Sequence, residues 1–285
     1  MTTQITWSPG SIDLHTHSTA SDGRLPPAAL VDAAADNGVE LLALTDHDTL
    51  AGLDEASRQA RRRGIRLVSG VEISVSWEKR TLHIVGLDVD PAQRDLAGGL
   101  AGLQALRARR ADAMGEQLEA RGLSDATARA RELADGGQIT RAHYARLLVD
   151  DGLCSKPQQA FKRFLKPGRP GYVGVVWAEL QTAIDWIHAA GGQAVLAHPL
   201  AYGMSGAWRR RMLSAFTEAG GDAMEVCCGN HNPSDNHVCA RDARHYGLKG
   251  SVGSDYHGPH QHWLALGRPL PLPDDIEPVW VHLSF

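Results

Sequence analysis

Reactive side chains come in short groups where apolar runs of the sequence end. The first group is Asp13-Leu14-His15-Thr16-His17. In an extended strand, residues two positions apart face the same way, so His15 and His17 project together. Two imidazoles on one face can form half of a metal site, although a single HxH pair also arises by chance. Asp22, in the polar turn SDG, is equally an oxygen ligand or a turn former when taken alone.

The same residue types recur at the ends of later apolar runs. They are His47 in TDHD, Glu72 in GVEIS, His83 in LHIVG, His198 in AHP, and Asp255 and His257 in SDYH. Six of the seven strands predicted below therefore deliver such a side chain at the C-terminal end. Bringing several unpaired ionisable groups together is costly unless cations are present. The pattern predicts a metal cluster.

The number and type of these side chains indicate which ions the cluster holds. Nine candidate ligands, three per ion with Glu72 able to bridge, suit two or three divalent ions, and catalytic ions keep a position open for water or substrate. Imidazole and carboxylate without thiolate suit Mn²⁺, Zn²⁺ or Fe²⁺ rather than Ca²⁺, and we favour Mn²⁺. Asp13 and Asp46 stand beside the ligands, and we expect them to orient the ligands from behind.

Alternating strand and helix patterns predict the scaffold that positions these residues. Strands are expected at SIDLH, LLALTDH, IRLVSGVEIS, TLHIVGL, QAVLAHP, DAMEVCC and KGSVGSDYH. A helix with proline in its first turn ends before Gly38, and another ends at Gly64. The pattern predicts an α/β barrel of seven or eight βα units, which carries its chemistry at the C-terminal ends of the strands.

An Arg-rich helical segment interrupts this alternation between the fourth and fifth strands. Residues 99–169 carry ten Arg and three Lys against eight Asp and Glu, which makes the segment +5 and leaves the rest of the chain at −9. A basic segment over an acidic body suggests an anionic ligand held between metal ions and arginines. We predict a discontinuous barrel of residues 1–98 and 170–285, with residues 99–169 as a helical insertion that recognises substrate.

Composition excludes several other classes of protein. The chain has 285 residues, enough for one large domain or one domain with an insertion. It has no apolar run of 18 residues and no signal-peptide pattern, so we expect a cytoplasmic protein that does not enter membranes. The cysteines Cys154, Cys227, Cys228 and Cys239 fit neither a zinc knuckle nor a disulfide framework, and we expect them to be reduced. Adjacent Cys227 and Cys228, in AMEVCCG, are expected to fill the core at the end of an apolar strand.

The ordered motifs DLHTHSTASDG, LALTDHDT, GVEIS, HIVGL, AHP and GSDYHG resemble those of the PHP (polymerase and histidinol phosphatase) family. The resemblance implies a distorted seven-stranded barrel with a three-ion site. The insertion, with ITRAHYARLL, AFKRFL and GRPGYV, is similar to the stand-alone branch that includes nucleoside 3′,5′-bisphosphate phosphatases and 5′-3′ exoribonucleases. The ligands implied by the resemblance are His15, His17, Asp22, His47, Glu72, His83, His198, Asp255 and His257.

The resemblance implies a phosphoester hydrolase that needs no covalent intermediate. Our hypothesis is removal of the 3′-phosphate of nucleoside 3′,5′-bisphosphates, by in-line attack of a hydroxide held between two ions. Asp22, His47 or His257 could assist the leaving group. The alternatives are a 5′-3′ exoribonuclease on short 5′-phosphorylated RNA, a histidinol-phosphate-type phosphatase and a non-catalytic metal-binding module. We expect a small phosphorylated nucleotide or short RNA as the partner, and no obligate protein partner.

Selectivity among phosphoesters has to come from residues outside the metal cluster. Arg141 and His143, in TRAH, are the first candidates for holding a second phosphate, because guanidinium grips phosphate with two hydrogen bonds. The other candidates each have a structural alternative. Two basic residues could lie on a solvated helix face, the tyrosine could pack against the barrel, and the pair after the sixth strand could lie near the mouth without contacting substrate. They are Arg163 and Lys166, Tyr172, and Asn230 and His231.

Overall fold

A nearly closed barrel of mixed strands forms the body of this computed structural model. The structure describes residues 7, 10–229, 231–261, 264–267 and 271–284. The strands are β1 (Ile12–Asp13), β2 (Leu41–Leu44), β3 (Arg66–Trp77), β4 (Arg80–Leu87), β5 (Ala178–Glu179), β6 (Gln193–Leu196), β7 (Ala223–Cys228) and β8 (Lys249–Gly253). Seven of them follow the order β1-β2-β3-β4-β6-β7-β8, while the short β5 pairs with β3. The predicted seven-stranded barrel is confirmed.

Backbone hydrogen bonds join the two ends of this sheet. The amide of Leu14 donates to the carbonyl of Val252 (3.1 Å), and the amide of His17 donates to the carbonyl of Tyr256 (3.0 Å). These bonds bring the chain that follows β1 beside the chain that follows β8. The first and last metal-ligand motifs therefore meet across the closure of the barrel.

The distortion of the barrel lies at β4, which runs antiparallel to both β3 and β6, whereas the other barrel pairs are parallel. A two-residue turn connects β3 to β4, and both of its residues, Glu78 and Lys79, have positive φ angles of 48° and 61°. Such a turn suits the twist of an antiparallel hairpin. The long hairpin therefore replaces one βα unit of a regular barrel.

The helices surround the barrel and form the insertion. They are α1 (Pro27–Asp36), α2 (Leu53–Arg63), α3 (Arg94–Glu119), α4 (Ala126–Ala134), α5 (Arg141–Asp150), α6 (Pro157–Ala160), α7 (Leu180–Ala189), α8 (Gly206–Glu218) and α9 (Pro233–Tyr246). A π-helical turn, Phe161–Leu165, follows α6, and a 3₁₀ turn covers Val279–His282. Gly38 and Gly64 take the left-handed conformation just beyond α1 and α2, as predicted. No helix in the described ranges has the length and apolar character needed to span a bilayer.

Helix α3 belongs to the barrel and to the insertion at once. Its first half packs Leu96 and Leu103 into the barrel core. Its second half contributes Met114 and Leu118 to a separate core that holds side chains of α4, α5 and the π-helical turn. The predicted boundary at residue 99 lies within this helix, so one rigid element connects the two bodies.

Candidate metal centre and adjoining cavity

All nine predicted ligands converge at one mouth of the barrel. Four groups of side chains each place one donor atom per residue within 4.8 Å of the others. The groups are His17-Asp22-His47-His257, His15-Glu72-His198, His15-His17-Asp255 and His47-Glu72-His83. Because the groups share members, they form a single connected cluster.

Most ligands reach the mouth from the segments that follow strands, as the barrel pattern predicts. Two of them do not. Glu72 lies in the middle of β3 rather than at its end, and His83 lies in the first half of β4. The prediction that both stand at C-terminal strand ends was wrong, because the β3–β4 hairpin continues beyond the mouth and β4 enters from the opposite direction.

The carboxylate of Glu72 stands at the centre of the cluster and is completely buried. Its oxygens lie 2.7 Å from His47 Nδ1, 2.9 Å from His83 Nδ1 and 3.0 Å from His198 Nε2. The Nε2 atoms of His15 and His17 are each 3.4 Å away. One carboxylate facing five imidazoles has the arrangement of a bridging ligand.

The cluster passes a direct test of fit to metal ions. Ligand atoms bound at about 2.1 Å to one ion lie about 3 Å apart. Here His15 Nε2 and His17 Nε2 are 3.1 Å apart, and His17 Nε2 is 3.2 Å from Asp255 Oδ1. Several buried atoms of the cluster make no contact with hydrogen-bond geometry among the described residues, even where a charged neighbour lies close: His17 Nδ1, Asp22 Oδ1, His47 Nδ1, Glu72 Oε2, His83 Nδ1 and His198 Nδ1. Buried polar atoms without partners are costly, and cations would satisfy them.

Neighbouring imidazoles have opposite preferences for a proton. Burial lowers the pKa of His17 to about 3, and the charges of His257 and His47 act in the same direction. Burial also disfavours the charged form of His257, but the carboxylates of Asp22 and Asp255 raise its pKa to about 10. Metal ions bind the deprotonated forms of such side chains, so binding would release protons from this cluster.

Buried carboxylates behind the cluster fix the backbone that carries the ligands. Asp46 accepts hydrogen bonds from the amide (2.8 Å) and hydroxyl (2.6 Å) of Ser18, in the loop that leads to Asp22. Asp13 accepts from the amides of Ser254 (2.9 Å) and Gly267 (3.0 Å). These bonds hold loops rather than imidazole rings, so the orientation of the ligands by Asp13 and Asp46 stays a prediction.

Backbone strain accompanies the cluster. Asp48, His198 and Asp255 have φ angles of 51°, 29° and 55°, in the left-handed region that residues other than glycine rarely occupy. Each stands in or next to a ligand motif. Such strain persists where surrounding contacts over-determine the backbone, and it is frequent at functional sites.

A cavity beside the cluster is closed on its far side by the insertion. The cluster residues that line it are Asp22, His47 and His83, and the insertion and the segment after it contribute Arg107, Arg110, Thr140, Arg141, Phe161, Tyr172 and Trp177. The guanidinium groups of Arg107 and Arg110 lie 5.1 and 5.5 Å from the Trp177 ring. The Arg141 guanidinium lies 5.8 Å from the Phe161 ring. One side of the cavity is therefore lined by candidate metal ligands, and the other side is cationic.

Comparison with known proteins identifies the family. A family model described as PHP domain matches residues 13–149. A 5′-3′ exoribonuclease from Haemophilus influenzae is 48% identical over 94% of this chain and 97% of its own length. The chain belongs to the PHP family. A 3′,5′-nucleoside bisphosphate phosphatase from Chromobacterium violaceum is 44% identical over 96% of both chains.

A solved structure has the same fold. It is described as an amidohydrolase from Chromobacterium violaceum with bound sulfate and no metal, and it superposes with a TM-score of 0.90 at 44% identity over 95% of each chain. This PHP chain is accordingly a phosphoester hydrolase, with clusters of His, Asp and Glu that are able to bind metal ions.

The predicted substrate contacts of this PHP chain divide into four sets. Arg141 and Tyr172 line the cavity. His143 instead closes the capping box of α5, where its Nδ1 accepts from the Thr140 amide (3.0 Å). Neither Arg163 nor Lys166 lines this cavity; Arg163 borders a separate surface groove and donates to the carbonyl of Leu153 (2.8 Å).

The pair after β7 is described only in part. His231 Nδ1 donates to Asn236 Oδ1 (3.1 Å), so this ring nitrogen is used within α9 and its preceding loop. Asn230 lies outside the described residues. A contact of either residue with substrate stays a prediction.

Sequence reasoning missed two buried acidic residues beside the ligands. Glu225 lies in β7, where the run AMEVCC suggested only core packing, yet it contacts His15 and the backbone of His198. Asp48 follows His47 and pairs with Arg107 at 2.5 Å. The available signal was an acidic residue inside an otherwise apolar strand, which is rarely buried without a partner.

Proposed function

We propose that this protein removes the 3′-phosphate of nucleoside 3′,5′-bisphosphates to give a nucleoside 5′-monophosphate and phosphate. The observation that carries the proposal is the position of Arg110 and Arg141 across the cavity from the metal cluster. A substrate with two phosphates can place one at the cluster and the other at these arginines. In this proposal residues 99–169 are the subdomain that recognises substrate.

The two arginines favour an anion because the described residues give them no carboxylate partner. Arg110 donates only to the carbonyl of Val173 (3.0 Å) in the described hydrogen bonds. Burial, followed by the charges of Arg141 and Arg107, lowers the pKa of Arg110 to about 10. The charges of Arg110 and Arg141 repel each other, and a phosphate that bridges them would offset that cost.

The remaining residues define roles in the reaction. Divalent ions, for which we favour Mn²⁺, would lower the pKa of water from about 15.7 towards about 7 and offset charge on the phosphoryl oxygens. The nine ligands would hold them. Of the three residues considered for protonating the leaving oxygen, Asp22 and His47 line the cavity, and His257 lies behind Asp22 with its Nε2 3.2 Å from Asp22 Oδ1.

A second candidate function is 5′-3′ exoribonuclease activity on short 5′-phosphorylated RNA. The observation in its favour is the relative of that name, which is 48% identical over nearly the whole chain. Both candidates use a 5′-phosphate at the arginines and cleave a bond on the 3′ side. Histidinol phosphate has only one phosphate and would leave the arginines unmatched.

The test is a substrate panel with the metal-free protein reloaded separately with Mn²⁺, Zn²⁺ or Fe²⁺. The substrates are a nucleoside 3′,5′-bisphosphate, the matching 3′-monophosphate, a 5′-phosphorylated RNA trimer and histidinol phosphate. We expect the bisphosphate to exceed the 3′-monophosphate in kcat/KM by about 10- to 100-fold, because a charge-assisted contact contributes about 1.5–3 kcal/mol. Equal rates on these two substrates would remove the proposed 5′-phosphate site. Mononucleotide release from RNA at a higher kcat/KM than phosphate release would favour the exoribonuclease.

A further inference from the structure

Glu225 is the only residue of β7 with an ionisable carboxylate, and it contacts two different ligands of the cluster. Its Oε1 lies 2.6 Å from His15 Nδ1, and its Oε2 accepts from the backbone amide of His198 at 2.6 Å. The side chain is 2% exposed. Burying a carboxylate is costly unless it is paired and hydrogen-bonded, and here the partners are two neighbouring ligand residues.

The surrounding backbone is shaped to admit this carboxylate. A Cβ atom on Gly253, in the adjacent β8, would collide with the His15 side chain and lie 3.0 Å from Glu225 Oε1. The β7–β8 pairing is interrupted by an irregularity between Glu225 and Cys227. Bulges of this kind re-aim side chains next to functional sites. Two neighbouring strands thus accommodate the Glu225–His15 contact.

The contact sets the state of the His15 ring. Glu225 Oε1 and His15 Nδ1 are 2.6 Å apart, which is a hydrogen-bond distance. A carboxylate oxygen only accepts, so His15 Nδ1 carries the hydrogen of this contact and Nε2 is the ring nitrogen that faces the cluster. That Nε2 atom lies 3.1 Å from His17 Nε2 and 3.4 Å from Glu72 Oε1.

The second bond acts on the backbone of His198. This residue has a φ of 29°, which an ordinary side chain disfavours. The bond from its amide to Glu225 holds the turn that aims the ring at Glu72, where His198 Nε2 lies 3.0 Å from Oε1. Glu225 therefore fixes one ligand by its ring and the other by its backbone.

We propose that Glu225 is a positioning residue that selectively sets the affinity of the ion held by His15, Glu72 and His198. It contacts two of the three members of this group. It contacts one member of the group His15-His17-Asp255 and none of the groups around His47. The inference rests on the proposed metal centre but not on the proposed substrate, because metal binding is measured without any substrate.

The experiment compares Mn²⁺ binding by the metal-free wild type and by Glu225→Gln. Binding is measured by calorimetric titration and by the metal content after dialysis at fixed free Mn²⁺. Outer hydrogen-bond partners of metal ligands typically change affinity by 10- to 100-fold. In Glu225→Gln we expect the affinity for one equivalent of Mn²⁺ to fall by about that factor. The affinity for the tightest remaining equivalent should change by less than about threefold. Excess Mn²⁺ should restore the lost equivalent.

The chain offers a matched control at the other end of the same strands. Asp222 accepts from His188 Nε2 (2.8 Å) and from the amide of Ala194 (2.8 Å), the same combination of one imidazole and one backbone amide. Asp222→Asn should leave the affinity for every equivalent of Mn²⁺ unchanged. Uniform weakening of all equivalents in Glu225→Gln, or no weakening, would overturn the selective role.

A measurement on the wild type covers the case in which Glu225→Gln does not fold. Nitrogen NMR of the metal-free, histidine-labelled protein, with His15 assigned through His15→Gln, reports which ring nitrogen bears the hydrogen. We expect Nδ1–H at His15. A hydrogen on Nε2 alone would contradict the inference whatever the variant does.

Discussion

The two walls of the cavity are built in different ways. On the barrel side, ligands stand on or just after strands, and buried carboxylates such as Asp46 hold the adjoining loops. On the insertion side, Arg110 and Arg141 project from α3 and α5 and make few hydrogen bonds with the described residues. A wall whose groups are fixed suits chemistry that depends on exact placement. A wall of long cationic side chains suits recognition of a phosphate.

The largest effect is expected from the centre of the barrel wall. Glu72→Gln removes the charge that faces five imidazoles, and we expect kcat/KM on every phosphoester to fall by more than about 10³-fold, together with loss of bound metal. Activity on each substrate and metal content are the measurements. Glu40→Gln, at an exposed position before β2, is the matched control. Retained activity on any one substrate would place the chemistry elsewhere.

Much of the barrel wall could be predicted from the sequence because its signals are local. Proline and glycine mark the ends of α1 and α2, and ligand residues such as His15 and His17 follow short apolar runs. The antiparallel direction of β4 could not be predicted in this way. Its turn residues, Glu78 and Lys79, lack the glycine or asparagine that usually marks such a hairpin, so the pairing depends on contacts between distant strands.

The missed residues have non-local causes. Glu225 lies in a strand buried along its whole length, where no alternation of polar and apolar residues points to one face. Asp48 obtains its partner, Arg107, from a helix 59 residues further along the chain. Arg163 and Lys166 were predicted from charge alone, and charge does not reveal which face of the insertion meets the barrel.

An intermediate effect is expected where the two walls are joined. Arg107 donates to the Asp48 carboxylate (2.5 Å) and to the Ser74 hydroxyl (2.7 Å), and both ions of the pair are buried. Arg107→Met should lower the free energy of unfolding by about 3–5 kcal/mol, because it leaves the Asp48 charge buried without its partner. Denaturant unfolding measures the change.

The double variant Arg107→Met with Asp48→Asn tests whether the pair is the cause. Removing both charges should recover part of the loss, so the double variant should be less destabilised than the sum of the single variants. Strict additivity would show that the two residues act separately. In that case the other contacts would join the walls, among them the apolar packing of α3 and the bond from Gln104 Nε2 to the Asp48 carbonyl (3.1 Å).

The smallest effect is expected on the insertion wall, and it should depend on the substrate. Arg141→Ala removes a guanidinium from the cavity and should reduce kcat/KM for a nucleoside 3′,5′-bisphosphate by about 10- to 100-fold. The value of kcat/KM for a simple aryl phosphate, which has no second phosphate, should change by less than about threefold.

Arg163→Ala is a closely matched control, since Arg163 lies over Phe164 much as Arg141 lies over Phe161, but Arg163 borders a separate groove. This variant should leave kcat/KM for both substrates unchanged. Equal losses on both substrates in Arg141→Ala would mean that this wall supports the metal cluster, and the division between chemistry and recognition would fail.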